Sequence, residues 1–442
     1  MTNSRRKFIK TSALAFGGLA TAMSAKSYGR ILGANERIGF AHAGLNSRVN
    51  AHLSALNTFK DQVDIVGLCD VDNRIFDKIK KRWSSIVPAN VKCEEDFRKL
   101  LENKDIDAIT IASPDHWHAP MAIMALQAGK DVYCEKPCSH NPQESLWLQQ
   151  AQAKSGKVLQ IGNQQRSAPT TIELIKKLRE GVIGETYYAK TIYESWRGSI
   201  GTGKKAPVPS WLNWDLFQGP APREEFRDNI VHYNWHWFKT WGTGEISNNG
   251  LHEMDVARWA LGVDIPTEVS SSGGRFAFDD DWEFYDTQIA SFKFAGNKML
   301  NWEGRSCNGS SSYKDGAGRG TYIYGTTGSA YVDRAGYQIF DKSGKEIANK
   351  REGEGMEGTD TTGISGLDNF HFDNFLKCVK GQATPNSPIA EAVKSTLLCH
   401  LGNMAQKHSA TLQIDPVTGK PNHKGAMKDW SREYEKGWKP VV

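Results

Sequence analysis

The chain has 442 residues, enough for two domains with substantial cores. Its 39% hydrophobic and 24% charged residues describe an ordinary folded protein rather than a disordered or fibrous one. The net charge of +5 includes Arg5, Arg6, Lys7 and Lys10 near the start, so the remainder is close to neutral and gives no reason to expect nucleic acid or an acidic membrane as partner. Seven cysteines without a CxxC pair argue against a disulfide framework and against a zinc site.

Residues 1–30 read as a secretory leader. Ser4-Arg5-Arg6-Lys7-Phe8-Ile9-Lys10 is followed by an uncharged stretch from Thr11 and small residues near Ala22 to Ala25. The twin arginine resembles a Tat export signal, which places the mature protein in the periplasm. The apolar stretch is too short for a stable membrane span. Tat carries folded proteins, so unpaired cysteines are compatible with export.

Alternating strands and helices follow. Arg37 to Ala41 is a strand and Asn50 to Phe59 a helix. Between them, Gly44-Leu45-Asn46-Ser47-Arg48 stands where a glycine-rich phosphate turn would be, although only Gly44 fits GxGxxG. Val63 to Cys69 is a second strand ending at Asp70, an acid placed to take ribose hydroxyls of NAD and to repel the 2′-phosphate of NADP. Glu94 to Glu102 is predicted as a helix. Ala108 to Ala112 is a buried strand, Ser113-Pro114-Asp115-His116 a turn, and Pro120 to Ala128 a helix ended by Gly129. Asp131 to Cys134 is the next strand, with Glu135-Lys136-Pro137 at its carboxyl end. Gln143 to Lys154 is a helix and Val158 to Ile161 a strand. This pattern predicts a doubly wound parallel sheet over 34–165, with Asp115, His116, His118, Glu135 and Lys136 on the ligand-binding rim.

From Glu185 the texture changes. Glu185–Glu194, Thr267–Phe276, Asp286–Phe294, Lys298–Arg305, Gly320–Tyr324 and Ser329–Asp333 read as strands, several of alternating polarity, as in a large and mostly antiparallel open sheet over 166–410. Between them lie Trp196, Trp211, Trp214, Phe217, Trp235, Trp237 and Trp241, whose rings suit either a core or the C–H faces of a sugar. Gly366–Val379 and Ile389–Gln406 are helices returning to the first domain. Gly309–Gly318 and Arg351–Gly363 are loops by composition, and 411–442 is a tail without catalytic signal.

SPDHWH, EKP and GNQQR, in this order after a nucleotide-binding strand, resemble the Gfo/Idh/MocA family of sugar dehydrogenases over nearly the whole mature chain. The resemblance implies a Rossmann domain followed by an α+β substrate domain, NAD as cofactor and a sugar, glycoside or polyol substrate, and export to a compartment poor in free NAD implies that the cofactor is tightly held. It also implies that Lys136 contacts both nicotinamide and substrate. Gly44, Asn46, Ser47, Arg48, Asp70, Ser113, Asp115, His116, Trp117, His118, Glu135 and Asn163 then become cofactor contacts. Arg166, Trp235, His236, Asn248 and His252 become substrate contacts. The stretch Gly242 to His252 is similar to the family's second signature, an acid four residues before a histidine, but Asn248 holds the acid's position. Base chemistry therefore falls on Lys136 or His252. Three readings stay open: a dehydrogenase, an NAD-dependent glycosidase working by transient C3 oxidation and elimination, and a non-catalytic nucleotide or sugar binder. The second sheet suggests a homodimer or homotetramer.

Overall fold

The computed structural model describes residues 37–310, 318–351 and 366–442. The leader and most of the loops 309–318 and 351–363 lie outside the described residues. Six strands, β1 (Ile38–Ala43), β2 (Val63–Cys69), β3 (Lys92–Glu94), β4 (Ala108–Ile111), β5 (Asp131–Cys134) and β6 (Leu159–Ile161), form a parallel sheet in the order β3-β2-β1-β4-β5-β6. Apart from β3 and part of β2 they are buried, as a sheet covered by helices on both faces requires. The strand order reverses between β1 and β4, so a crevice opens at their carboxyl ends.

Two boundaries differ from expectation. The helix predicted over 94–102 is only Phe97–Leu100, because Lys92–Glu94 pairs with β2 and the Asp96 carboxylate then caps the following turn. The helix predicted from Pro120 starts five residues earlier, at Asp115, and runs to Gln127 with Pro120 inside it. Proline cannot donate to the carbonyl four residues back. That carbonyl belongs to His116, and Arg432 from the tail donates to it instead at 2.8 Å. The tail is held there by an Arg432–Glu144 ion pair at 2.8 Å and by Trp438 set edge-on against Trp117. A segment that looked featureless thus completes the first domain.

The second sheet has nine strands: β7 (Thr186–Glu194), β8 (Glu268–Gly274), β9 (Thr287–Phe294), β10 (Lys298–Arg305), β11 (Arg319–Gly325), β12 (Gly328–Val332), β13 (Gly336–Asp341), β14 (Glu346–Arg351) and β15 (Leu412–Gln413). Their order is β14-β13-β12-β11-β7-β10-β9-β8-β15, and only the β7–β10 pair is parallel. The last three strands in sequence were not anticipated. β14 lies at an edge and is mostly exposed, so its sequence needs no alternation.

Helices Leu251–Leu261 and Ile389–Lys407 cover one face of this sheet, burying Met254, Leu398, Leu401 and Met404 against Phe292, Leu300 and Trp302. Ile389 and Ala392, at the start of the longer helix, belong instead to the core of the first sheet. One helix thereby ties both domains together. Most of the tryptophans between β7 and β8 serve packing: Trp214, Phe217 and Trp241 form a separate small core, and Trp237 stacks on Trp282 at 3.9 Å. Among the described residues no helix is long and apolar enough to cross a membrane.

Candidate active site

A cleft of about 570 Å³ runs from the β1–β4 crevice to the near end of the second sheet, within the range of small-molecule sites. Its nucleotide end begins at Gly44, whose φ is +83° and whose added Cβ would lie 2.5 Å from the backbone of Ala112 and Ser113. Only glycine allows the turn to press this closely on the end of β4. Asp70 fastens the same turn. Its two oxygens accept the backbone N–H of Leu45 at 2.6 Å and of Asp72 at 2.9 Å. Burial raises its pKa, and those two hydrogen bonds oppose the rise.

At the middle of the cleft, Glu135 is the hub of a buried network. It accepts from Arg48 at 2.8 Å, His52 at 2.9 Å and Gln164 at 3.2 Å. Gly162 makes room for it, since a Cβ there would lie 2.7 Å from the Glu135 carboxylate. Burial disfavours the charge, but Arg48 and His52 outweigh it and hold the carboxyl well below the usual range. Arg48 also pairs with Asp368, which opens the helix Leu367–Val379. His118, on the cleft face of its helix, has its ring nitrogens 2.6 Å from the Pro137 carbonyl and 2.8 Å from the Ser113 carbonyl. It ties the ends of β4 and β5 together.

Lys136 stands where the two ends of the cleft meet. Its ammonium donates to the Asn248 carbonyl at 2.5 Å. That carbonyl belongs to a turn of π-helix, Ile246–Gly250, which leads into Leu251–Leu261. Such insertions interrupt the regular ladder and are frequent at functional sites. Burial lowers the lysine's pKa, against the opposing pull of Glu135 and Asp115. Asp115 is itself raised by burial, although His118 and the Thr243 hydroxyl, 2.5 Å away, favour its charge. His252 faces the same space, its ring without a protein partner among the described residues. Burial, then the charges of Arg334 and Lys136, keep it neutral. A neutral imidazole and a lysine of lowered pKa facing one space can exchange a proton with a bound alcohol.

Residues 38–163 match an oxidoreductase family's NAD-binding Rossmann fold, and residues 175–414 match the same family's C-terminal alpha/beta domain. The chain belongs to the Gfo/Idh/MocA oxidoreductase family. Among curated relatives, a glycosyl hydrolase family 109 protein of Parabacteroides distasonis is 26% identical over 66% of this chain and 66% of its own length. Levoglucosan dehydrogenase of Pseudarthrobacter phenanthrenivorans is 28% identical over 38% of this chain and 36% of its own length. The chain therefore spans less than two thirds of either relative. A levoglucosan dehydrogenase solved with NADH and levoglucosan shares the fold, with a TM-score of 0.65 and 17% identity over 85% of this chain and 99% of that one.

Of the residues expected from the family's motifs, Gly44, Asn46, Ser47, Arg48, Asp70, Ser113, Asp115, His118, Glu135, Lys136, Trp235, His236, Asn248 and His252 all line the cleft. Four others are not among the residues lining this cleft. The His116 imidazole lies 2.9 Å from the Phe217 carbonyl, away from the cleft, whereas Trp117 donates its indole N–H to the same carbonyl at 2.9 Å and lines a smaller pocket that shares Gly44, Asp70, Ser113 and Pro114 with the nucleotide end. The early helix start decides this, since helical spacing puts Asp115 and His118 on one face and the residues between them on others. Asn163, just past the carboxyl end of β6, is buried, and its amide has no partner among the described residues. Arg166 makes a bidentate pair with Asp255, at 2.7 and 2.9 Å, inside the second domain. Tyr193, Arg197, Tyr233, Asn249, Arg319, Arg334 and Asp368 line the cleft without having been anticipated. Tyr193 and Arg319 become neighbours only through the β7–β11 register, and no local spacing signals that.

Proposed function

We propose that the protein is an exported, NAD-dependent oxidoreductase that acts on the secondary alcohol of a sugar, glycoside or polyol. The observation that carries this reading is the convergence of Lys136 and His252 on one space, joined to the Asp70 end of the same cleft. The residues present suit a dinucleotide. The close-packed turn at Gly44, whose own N–H and that of Leu45 are taken by Cys69 and Asp70, leads through Asn46 to Arg48 into a helix start that suits a diphosphate. Asp70 would take ribose hydroxyls and favours NAD over NADP, and Ser113, Asp115 and Lys136 would border the nicotinamide. Bound NAD supplies a hydride acceptor. Lys136 and His252 share the alcohol's proton, with neutral Lys136 able to accept it, and Asn248 fixes a neighbouring hydroxyl.

The Tat-like leader supports export of the folded protein with its cofactor already held, because free dinucleotide is scarce in the periplasm. The second sheet suits a homodimer or homotetramer, to be measured by light scattering. Purified protein, without added cofactor, is to be denatured for mass spectrometry and, in parallel, mixed with a panel of polyols. Released NAD and near-ultraviolet absorbance of reduced nicotinamide on mixing support the proposal. Absence of any dinucleotide after native purification, together with failure to bind added NAD, favours the non-catalytic binder.

The glycosyl hydrolase family 109 relative favours one further reading, a glycosidase that oxidises C3 transiently, eliminates the substituent and restores the cofactor. Release of phenol from aryl glycosides without added NAD would establish it. Net accumulation of reduced cofactor with free polyols supports the dehydrogenase.

A further inference from the structure

The departure at position 248 has a physical cause three residues upstream. Glu245 is buried, and its carboxylate collects donors from three residues that line the substrate end of the cleft. One oxygen accepts the side-chain N–H of Asn249 at 2.5 Å and of Asn248 at 3.3 Å. The other accepts from Arg197 Nε at 2.7 Å, with the Ser306 hydroxyl at 3.4 Å. A carboxylate can only accept, so the orientation of both amides is settled: each nitrogen faces Glu245 and each oxygen turns away. Neither amide oxygen has a protein partner among the described residues, and both side chains border the cleft.

We propose that Glu245 is the positioning residue of the substrate end, and that it turns the Asn248 and Asn249 amide oxygens into the cleft as a pair of acceptors for two substrate hydroxyls. This rests on the polyol reading above and makes it narrower. The site reads its substrate through hydroxyl donors, so a ligand with adjacent free hydroxyls binds and its methyl ether does not. The arrangement also accounts for asparagine at 248. An aspartate there would set two carboxylates about as close as the present contact, where both cannot stay charged without cost. Among the described residues, the other charged or titratable groups near this cluster include Arg197 from the loop after β7, Tyr193 on β7, Tyr233 through its hydrogen bond to Arg197, His236 beside Arg197 and Lys136, and Lys136 at the Asn248 carbonyl. Arg197 and the Lys136 ammonium can only donate, so neither can take over as acceptor for the two amides.

The experiment compares the full-length wild type with Glu245→Gln, Asn248→Asp and the double variant. The first measurement is thermal melting from pH 8 to pH 5, which needs no ligand. Asn248→Asp is expected to melt roughly 3–6 °C below wild type at pH 8 and to recover at least half of that difference at pH 5, as the carboxylate pair takes up a proton. The double variant, which restores an amide facing a carboxylate but takes the ion partner from Arg197, should keep a melting deficit that does not change between pH 8 and pH 5. The second measurement is binding of myo-inositol and levoglucosan to the NAD-loaded protein by calorimetry. Glu245→Gln and Asn248→Asp should each weaken binding by about tenfold or more, the double variant should recover most of the loss, and NAD affinity should not move.

A melting deficit of Asn248→Asp that is absent or independent of pH overturns the proposal, as does a Glu245→Gln variant that binds polyol like wild type. If wild type binds neither polyol while the melting pattern holds, the polyol reading fails and the Glu245 arrangement stands.

Discussion

The two ends of the cleft are built in opposite ways. The nucleotide end comes from short neighbouring stretches: a turn after β1, an acid after β2, a helix start after β4 and EKP after β5. The substrate end gathers Tyr193, Arg197, Tyr233, Asn248, His252, Arg319 and Arg334 from across some 140 residues of sequence. At the nucleotide end, Arg48 bridges two carboxylates, Glu135 and Asp368, within one network. At the substrate end, buried carboxylates sit behind the cleft and aim others into it, Glu245 on Arg197 and Glu253 on Arg319. The first end is a mould repeated wherever strands run parallel. The second is an assembly that any change in strand register would scatter.

Lys136 is the hinge of this comparison, and replacing it should produce the largest effect. Lys136→Met is expected to lower turnover by about 10³-fold while mass spectrometry still finds the cofactor bound. Turnover within a few-fold of wild type would remove the lysine from the chemistry and leave the two ends without a shared reacting centre. Arg166 sharpens the boundary of the substrate end. If it is scaffold rather than a sugar contact, Arg166→Met leaves Asp255 buried without its ion partner, at a cost of about 3–5 kcal/mol. The melting temperature should then fall by roughly 5 °C, with KM for polyol unchanged in the folded fraction. A raised KM with normal melting would return Arg166 to the substrate site.

Asp368→Asn tests the network at the other end. Removing one carboxylate beside Arg48 should tighten NAD binding by about threefold to tenfold, because less negative charge faces the diphosphate. Unchanged affinity in a salt series would show that this pair is only structural.

The smallest effect is a pH shift. The lysine's pKa is lowered chiefly by burial, so its neutral form is reached below the ordinary lysine value of 10.5, and the rate of alcohol oxidation should rise with pH along that earlier limb. Glu135 opposes the lowering. Glu135→Gln should therefore move the limb to still lower pH, and movement to higher pH would contradict the electrostatic account.

Much of the nucleotide end was legible because its signals are local. Strand, turn and helix each leave a pattern within a dozen residues, and the rim follows from parallel topology. That locality also explains the misplacements. Reading Ser113–His116 as a turn put His116 on the rim, whereas the helix begins at Asp115 and carries that imidazole to the opposite side. Arg166 carried no local mark of its partner, since Asp255 lies 89 residues away. Glu245 stood in plain view three residues before Asn248, yet its bearing on that residue depends on a π-helical turn that no periodicity announces.

What the residue order determined by itself was the Rossmann half, the polarity of its ligand-binding rim, the antiparallel character of most of the second sheet and the lysine at the junction. These follow from hydrophobic period and turn chemistry, which act over short distances. The tertiary structure alone decided which polar side chains share the cleft, which way the two amides of Asn248 and Asn249 face, and that Arg432 completes a helix begun more than three hundred residues earlier. Those outcomes depend on strand register and on buried groups finding partners, and a buried charge or carbonyl accepts whichever donor the folded chain brings within reach.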